Sequence, residues 1–230
     1  MKQIILAILS RAGGVGKTTL AANIAYELSR KGITVAMLDL DANHSLEDFV
    51  GLEAIEENDS IVNIFSKKFS GNWKLQSIWG EPKLQVCQGH PEMANLVDAL
   101  SSRTRKEYVL RTLLQKYPLP HKVVILDCPG TQSLMTTNAL AASTHLLIPI
   151  QLEVKIKTVP ELITWCSEAG EELELEPKPL IMGIIPNNYN KEASLHRQNL
   201  EQLPAIARAM GIKLYPEIPS LKYRLCRKDF

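Results

Sequence analysis

Ala12-Gly13-Gly14-Val15-Gly16-Lys17-Thr18-Thr19 sets three glycines, a lysine and two hydroxyls between an apolar run (Ile4 to Leu9) and the start of an amphipathic pattern. Glycines let a backbone curl so that successive N–H groups converge on phosphate oxygens, and a following helix N-terminus adds its dipole. Lys17 offers a point charge to β- and γ-phosphates, and the Thr18 hydroxyl is placed to ligate Mg²⁺. Gly13, Gly14, Val15, Gly16, Lys17, Thr18 and Thr19 are therefore the candidate cradle of a nucleoside triphosphate.

Two acidic strand ends follow. In Met37-Leu38-Asp39-Leu40-Asp41, alternation puts Asp39 and Asp41 on one side of a strand as it leaves the carboxyl edge of a sheet, where α/β proteins bind ligands. Two carboxylates there can order the hydration shell of Mg²⁺ and orient an attacking water. Val123-Val124-Ile125-Leu126-Asp127 is a buried-type apolar run ending in one carboxylate, the Walker B arrangement, and Asp127 would hold Mg²⁺ through water. Each aspartate alone reads as readily as a helix cap or turn residue. The three together with the loop point to triphosphate chemistry.

The elements that must carry these residues alternate β-rich runs with helical patterns, the mark of an α/β fold with a mostly parallel sheet covered on both faces. Strands are expected at 3–9, 34–39, 122–127, 144–150 and 179–185, with shorter ones near 83–87 and 213–215. Helix 17–31 carries Leu20, Ala21, Ile24, Ala25 and Leu28 on one face and ends at Gly32. Further helices are expected at 104–117, 133–142, 159–169 and 191–210; Pro160 suits a first turn, and Pro204 should split the last helix. The acidic stretch from Glu168 to Glu176 reads as a solvated helix end, and the irregular 51–82, with Trp73 and Trp79, as a surface excursion. One domain spanning 1–230 is the economical reading.

Composition narrows the class. With 230 residues, 45% apolar and 22% charged, the chain can bury one sizeable core. A net charge of +1 excludes a globally basic nucleic-acid binder but not a local basic patch. No apolar run approaches the ~20 residues of a membrane span, and the start of the chain reads as a first strand rather than a secretory signal. Cys87, Cys128, Cys166 and Cys226 stand far apart, which suits reduced thiols in a cytoplasmic protein, and the five histidines show no metal spacing.

The loop departs from the general form G-x-x-x-x-G-K-[ST], because Arg11 stands where that form has glycine. It resembles the variant loop K-G-G-x-G-K-[ST]-[ST] of the ParA/MinD family of deviant Walker ATPases everywhere except Ala12. The resemblance extends along most of the chain: Asp39-Leu40-Asp41 is similar to the family's D-x-D, and Asp127-Cys128-Pro129-Gly130 to its D-x-P-[PG]. Asn138-Ala139-Leu140-Ala141-Ala142 is similar to the helix that follows, and Leu147-Ile148-Pro149-Ile150-Gln151 to a later strand. More loosely, Asn187 or Asn188 matches where the family offers an amide to the base, and Pro216-Glu217-Ile218-Pro219 resembles an I-P element beside adenine. The resemblance implies a P-loop NTPase fold, ATP and Mg²⁺ as ligands and ATP hydrolysis. It gives Lys17 and Thr18 phosphate and metal binding, Asp41 the positioning of the hydrolytic water, and Asp39 and Asp127 the organisation of the metal.

Ala12 stands where that family has its signature lysine, which reaches across an ATP-bound dimer. Arg11 is a poor stand-in, since neighbours in a tight loop point in different directions. Lys155, or in second place Lys157, is proposed to supply the charge in trans; both read equally as solvated lysines at a helix start. Loss of the signature lysine resembles the carboxysome-positioning branch of ParA-type ATPases, McdA. That branch implies an ATP-dependent homodimer, binding to non-specific double-stranded DNA of the nucleoid, and release by a small adaptor protein that stimulates hydrolysis. Lys222, Arg224, Arg227 and Lys228 concentrate four cations at the end of a neutral chain and are the candidate DNA contacts; Lys67-Lys68 and Arg103, Arg105, Lys106 are smaller clusters. Relatives run on with a final helix, so the basic segment 221–230 reads as a shortened tail, and nothing in it resembles the membrane-binding tail of MinD-type proteins.

Three rival classes remain. A metabolic P-loop enzyme using ATP on a small molecule would need a further polar pocket. An ATPase of the nitrogenase iron-protein type would need cysteines, for which Cys128 and Cys87 are the candidates, to bridge a cluster across a dimer. A non-hydrolysing binding module would treat Ala12 as decay, against the retention of Lys17, Thr18, Asp39, Asp41 and Asp127.

Overall fold

The computed structural model describes residues 2–43, 45–153, 156 and 158–220. Its strands are β1 (Ile4–Ile8), β2 (Val35–Asp39), β3 (Gln76–Ile78), β4 (Glu81–Cys87), β5 (Val123–Asp127), β6 (His145–Gln151) and β7 (Leu180–Asn187). They form one sheet in the order β3-β4-β2-β5-β1-β6-β7, parallel throughout except for the β3–β4 pair. The helices are α1 (Lys17–Arg30), α2 (Ser45–Val50), α3 (Met93–Ser101), α4 (Val109–Lys116), α5 (Leu134–Ala142), α6 (Thr158–Glu172) and α7 (Ser194–Ala209).

Every residue of β2 and β5 is buried, as an apolar run covered on both faces requires. Leu6, Ile8, Val35, Met37, Val123 and Ile125 pack against Leu20, Ala21 and Ala25 of α1. Their neighbours Ala7, Leu9, Ala36, Leu38, Val124 and Leu126 face the opposite layer, built from α3 to α7. Helix α1 stops where expected: Gly32 (φ 84°) bonds back to Ser29 and the Ile33 N–H to Leu28, a left-handed turn that glycine adopts without strain. Glu168, Glu171, Glu172, Glu174 and Glu176 are all exposed, as a solvated helix end should be.

Four expectations are corrected. Residues 51–82 are not a surface excursion: Ile61, Ile64 and Phe65 are buried in the main core, and the Trp73 indole N–H donates to the Tyr117 carbonyl at 2.9 Å. Helix α7 runs unbroken through Pro204. A helix-interior proline costs about 3 kcal/mol, but Leu203 and Ala207 are both buried and hold the two halves on one core while Pro204 faces solvent. The segment near 213–215 is a single bridge, Ile184 to Leu214, not a strand; the chain runs on beside β7 to a second bridge, Tyr189 to Pro219. Helix 104–117 begins instead with a short 3-10 turn, Lys106–Tyr108, so α4 proper starts at Val109.

Candidate nucleotide-binding site

The register of the sheet gathers the candidate residues at one edge. Ile8, the last residue of β1, is level with Asp127 of β5, which is level with Asp39 of β2. The glycine-rich loop leaves β1 at this edge and enters α1, with Gly14 (φ 73°) and Gly16 (φ 83°) in the left-handed conformation that curls its N–H groups inward. The first turn of α1 has neither a side-chain cap nor an acidic residue, so its N–H groups and dipole point into the cleft. Gly13, Gly14, Gly16, Lys17, Thr18, Thr19 and Asp41 line a cleft of about 600 Å³. Val15 is buried beneath the loop.

The loop is braced from three sides. Lys17, 6% exposed, sets its ammonium 3.5 Å from the Ala12 carbonyl. The Gln151 amide donates to Gly14 at 2.6 Å, and the Asn187 amide to Val15 at 2.8 Å. Asn187 thus braces the loop through one amide N–H, and Pro219 is brought beside the end of β7 by the Tyr189 bridge. A Cβ at Gly130 would sit 3.0 Å from Gly13 Cα, so the turn after β5 lies directly on the loop. Arg11 points away, paired with Glu161 at 2.8 Å and bonded to Gln132. It cannot replace a lysine at Ala12.

The carboxylates divide by environment. Asp39 and Asp127 are completely buried side by side. Burial raises the Asp39 pKa well above its ordinary value, and the Asp127 charge adds to this. Burial likewise raises Asp127 to about 6, with the Thr18 hydroxyl and the Lys17 ammonium drawing it partly back. Asp39 Oδ2 and both oxygens of Asp127 nonetheless lack a hydrogen bond of good geometry to any described residue. Asp39 Oδ1 accepts from the Asp41 N–H at 3.0 Å, and Asp41 Oδ1 accepts from the backbone and side-chain amides of Asn43. Among the described residues no group of three or more His, Cys, Asp or Glu converges to hold a metal ion outright. The arrangement fits a hydrated divalent cation, which Thr18, Asp39 and Asp127 would hold.

That burial has a measurable consequence. A carboxyl whose folded pKa is raised keeps a proton that the unfolded chain releases, so stability falls as pH rises between the ordinary 3.8 and about 6. Asp127→Asn removes the cost. Without divalent cation the variant should melt roughly 5 °C above the parent at pH 7, with the gap closing near pH 4. A gap equal at both pH values would contradict the assignment.

Several contributors carry no sequence signal: Met93, Ala94 and Val97 of α3 line the cleft, and a Cβ at Gly89 would sit 2.8 Å from Asp39 Oδ2. Lys155, Lys157, Lys222, Arg224, Arg227 and Lys228 lie outside the described residues. Cys87 and Cys128 are completely buried, and burial pushes the Cys87 thiol up to about 12. Neither reaches a surface where it could bridge a cluster to a second chain, which removes the iron-protein reading.

A family model described as an AAA domain matches residues 2–175. The chromosome partitioning protein ParA of Myxococcus xanthus is 26% identical over 86% of this chain and 70% of its own length. The maintenance of carboxysome distribution protein A of Synechococcus elongatus is 25% identical over 92% and 82%. Among solved structures, cobyrinic acid a,c-diamide synthase of Mycobacterium smegmatis superposes with a TM-score of 0.84 at 24% identity, covering 96% of this chain and 89% of that one. Apo McdA of Cyanothece superposes at 0.81 with 21% identity, covering 96% and 87%. The chain belongs to the family of that AAA-domain model and, with this loop and these relatives, is a ParA-type deviant Walker ATPase.

Proposed function

We propose that this chain is an ATP-driven positioning ATPase: ATP closes a homodimer, the dimer holds non-specific double-stranded DNA, and a small adaptor protein releases it by stimulating hydrolysis. Carboxysomes are the cargo that the likeness to the Synechococcus relative suggests, and the cytoplasm, at the nucleoid, is where the cycle would run. One observation carries the reading. Lys17 and Thr18, Asp39 and Asp41, and Asp127 come from three separate segments to one edge of the sheet, where Lys17, Thr18 and Asp41 line a single cleft.

The residues then divide the work. The loop N–H groups and Lys17 bind the β- and γ-phosphates. Thr18, Asp39 and Asp127 hold Mg²⁺, which supplies charge neutralisation between the phosphates. Asp41, less buried than Asp39 and fixed by Asn43, orients the attacking water. Lys155, or next to it Lys157, supplies the positive charge that Ala12 cannot, and Lys222, Arg224, Arg227 and Lys228 contact DNA phosphates. Among the described residues no helix is long and apolar enough to cross a membrane, and no membrane partner is proposed.

A second reading, an ATP-dependent enzyme acting on a small molecule, draws on the fold likeness to the diamide synthase. Equilibrium binding to a non-specific duplex with ATP, with ADP and without nucleotide separates the two. Salt-sensitive binding with ATP alone is the expected result. No binding in any nucleotide state would turn the assignment toward the small-molecule enzyme.

A further inference from the structure

Away from the nucleotide cleft, the fold joins two basic clusters that lie far apart in the chain. Lys67, at the end of the Ile61–Phe65 turn, and Arg103 and Arg105, ahead of α4, line one concave surface with Arg111 and Lys116 of α4 itself. This cleft has a volume of about 770 Å³ and five cations against one carboxylate, Glu174, in a chain whose net charge is only +1. Lys67, Arg105 and Lys116 are exposed, and Arg103 and Arg111 half-buried. Among the described residues none of the five pairs with a carboxylate.

The walls are fixed by structure rather than by the charges. The Tyr108 hydroxyl donates to the Leu173 carbonyl, Trp73 to the Tyr117 carbonyl, and Phe69 meets both Trp73 and Tyr117 edge to face. The Arg105 guanidinium lies 4.9 Å over the Tyr108 ring and the Lys116 ammonium 5.0 Å over Tyr117, so these two cations are steered along the cleft. Arg103 is partly committed, donating to the Phe65 carbonyl at 2.7 Å. Unpaired like charges held together repel one another, and an anionic partner relieves that cost.

We propose that this cleft is a docking surface for the phosphate backbone of duplex DNA, used by the dimer in addition to the basic tail. The proposal rests on the positioning reading above and assigns it a place on the folded domain. A protein partner is disfavoured by the lining. The exposed large apolar side chains among the described residues, Leu180, Met182 and Leu195, lie outside the cleft, and its tyrosine rings, Tyr108 and Tyr117, are each covered by a cation, so charge rather than apolar surface is what the cleft presents. What it offers is sequence-independent charge, which is how a phosphate backbone is held. No residue lining this cleft also lines the nucleotide cleft.

The test compares the full chain with the triple variant Lys67→Gln, Arg111→Gln, Lys116→Gln and with the charge-keeping triple Lys67→Arg, Arg111→Lys, Lys116→Arg. Each is titrated with non-specific duplex in ATP across a salt series, with DNA-free ATPase activity as the folding control. The neutral triple should keep its ATPase and bind at least about tenfold more weakly near 0.1 M salt. Its salt dependence should flatten by about 0.9 in log–log slope for each phosphate no longer neutralised, up to about 5 for three positions in each of two protomers. The charge-keeping triple should bind as the parent does. Parental affinity and slope in the neutral triple would overturn the cleft assignment and leave the positioning reading standing. A parent chain that binds no duplex in any nucleotide state would overturn both. Poly-L-glutamate displacing duplex from the parent at matched charge, and not from the neutral triple, would make the cleft a site for acidic protein instead.

Discussion

Lys17→Ala is expected to lower ATP turnover per unit substrate by roughly 10²–10³-fold, the scale seen when one preorganised charge is removed from a site where negative charge develops. The reason is positional. Lys17 opens α1, is 6% exposed, sits beside the Ala12 carbonyl, and among the described residues is the one cation lining the cleft. Arg11 is the nearest in sequence and is already paired with Glu161. Alanine is a good residue for a helix start, so the melting temperature should change by only a few degrees. Steady-state hydrolysis with thermal melts checks both halves. Turnover within threefold of the parent would remove Lys17 from its role.

Asp41→Ala should behave differently. Asp41 lines the cleft but is not part of the glycine-rich loop that cradles phosphate, so ATP affinity should hold within about threefold while hydrolysis falls roughly 10²-fold. The substitution also deletes the acceptor for two Asn43 donors, a local loss of about 1 kcal/mol. Asp41→Asn separates the effects, because it keeps an oxygen for the Asn43 turn and removes the charge. The asparagine variant should be as slow as the alanine one and more stable. If it recovers parental turnover, Asp41 shapes the 41–43 turn and does no more.

The parts of this site that could be read from sequence are those in which local order fixes the geometry. Glycines at 13, 14 and 16 followed by Lys17 admit one useful backbone path, and an apolar run ending in Asp127 has to end at a sheet edge. The missed parts depend on distant partners. Helix α2 is six residues long, and α3 buries only Met93 and Leu100 and has no side-chain cap, so neither leaves a strong periodic pattern. The Ile61–Phe65 turn did carry a hint, four apolar residues in five, with Ile61 and Ile64 three apart as a 3-10 turn places them together. Asn187 stands out in the sequence for a base contact, but its bond to Val15 spans 172 positions and leaves no local signal. The two small basic clusters are visible in the sequence, but their joining into one cleft with Arg111 and Lys116 is not, because it depends on how distant segments pack.

The most direct measurement of the central claim is the solution mass of Asp41→Ala with Mg²⁺ and ATP, with ADP, and without nucleotide. The protomer is 25.7 kDa, and the account predicts twice that mass with ATP and a single protomer in the other two states. A single protomer in all three states, or a dimer regardless of nucleotide, would contradict it.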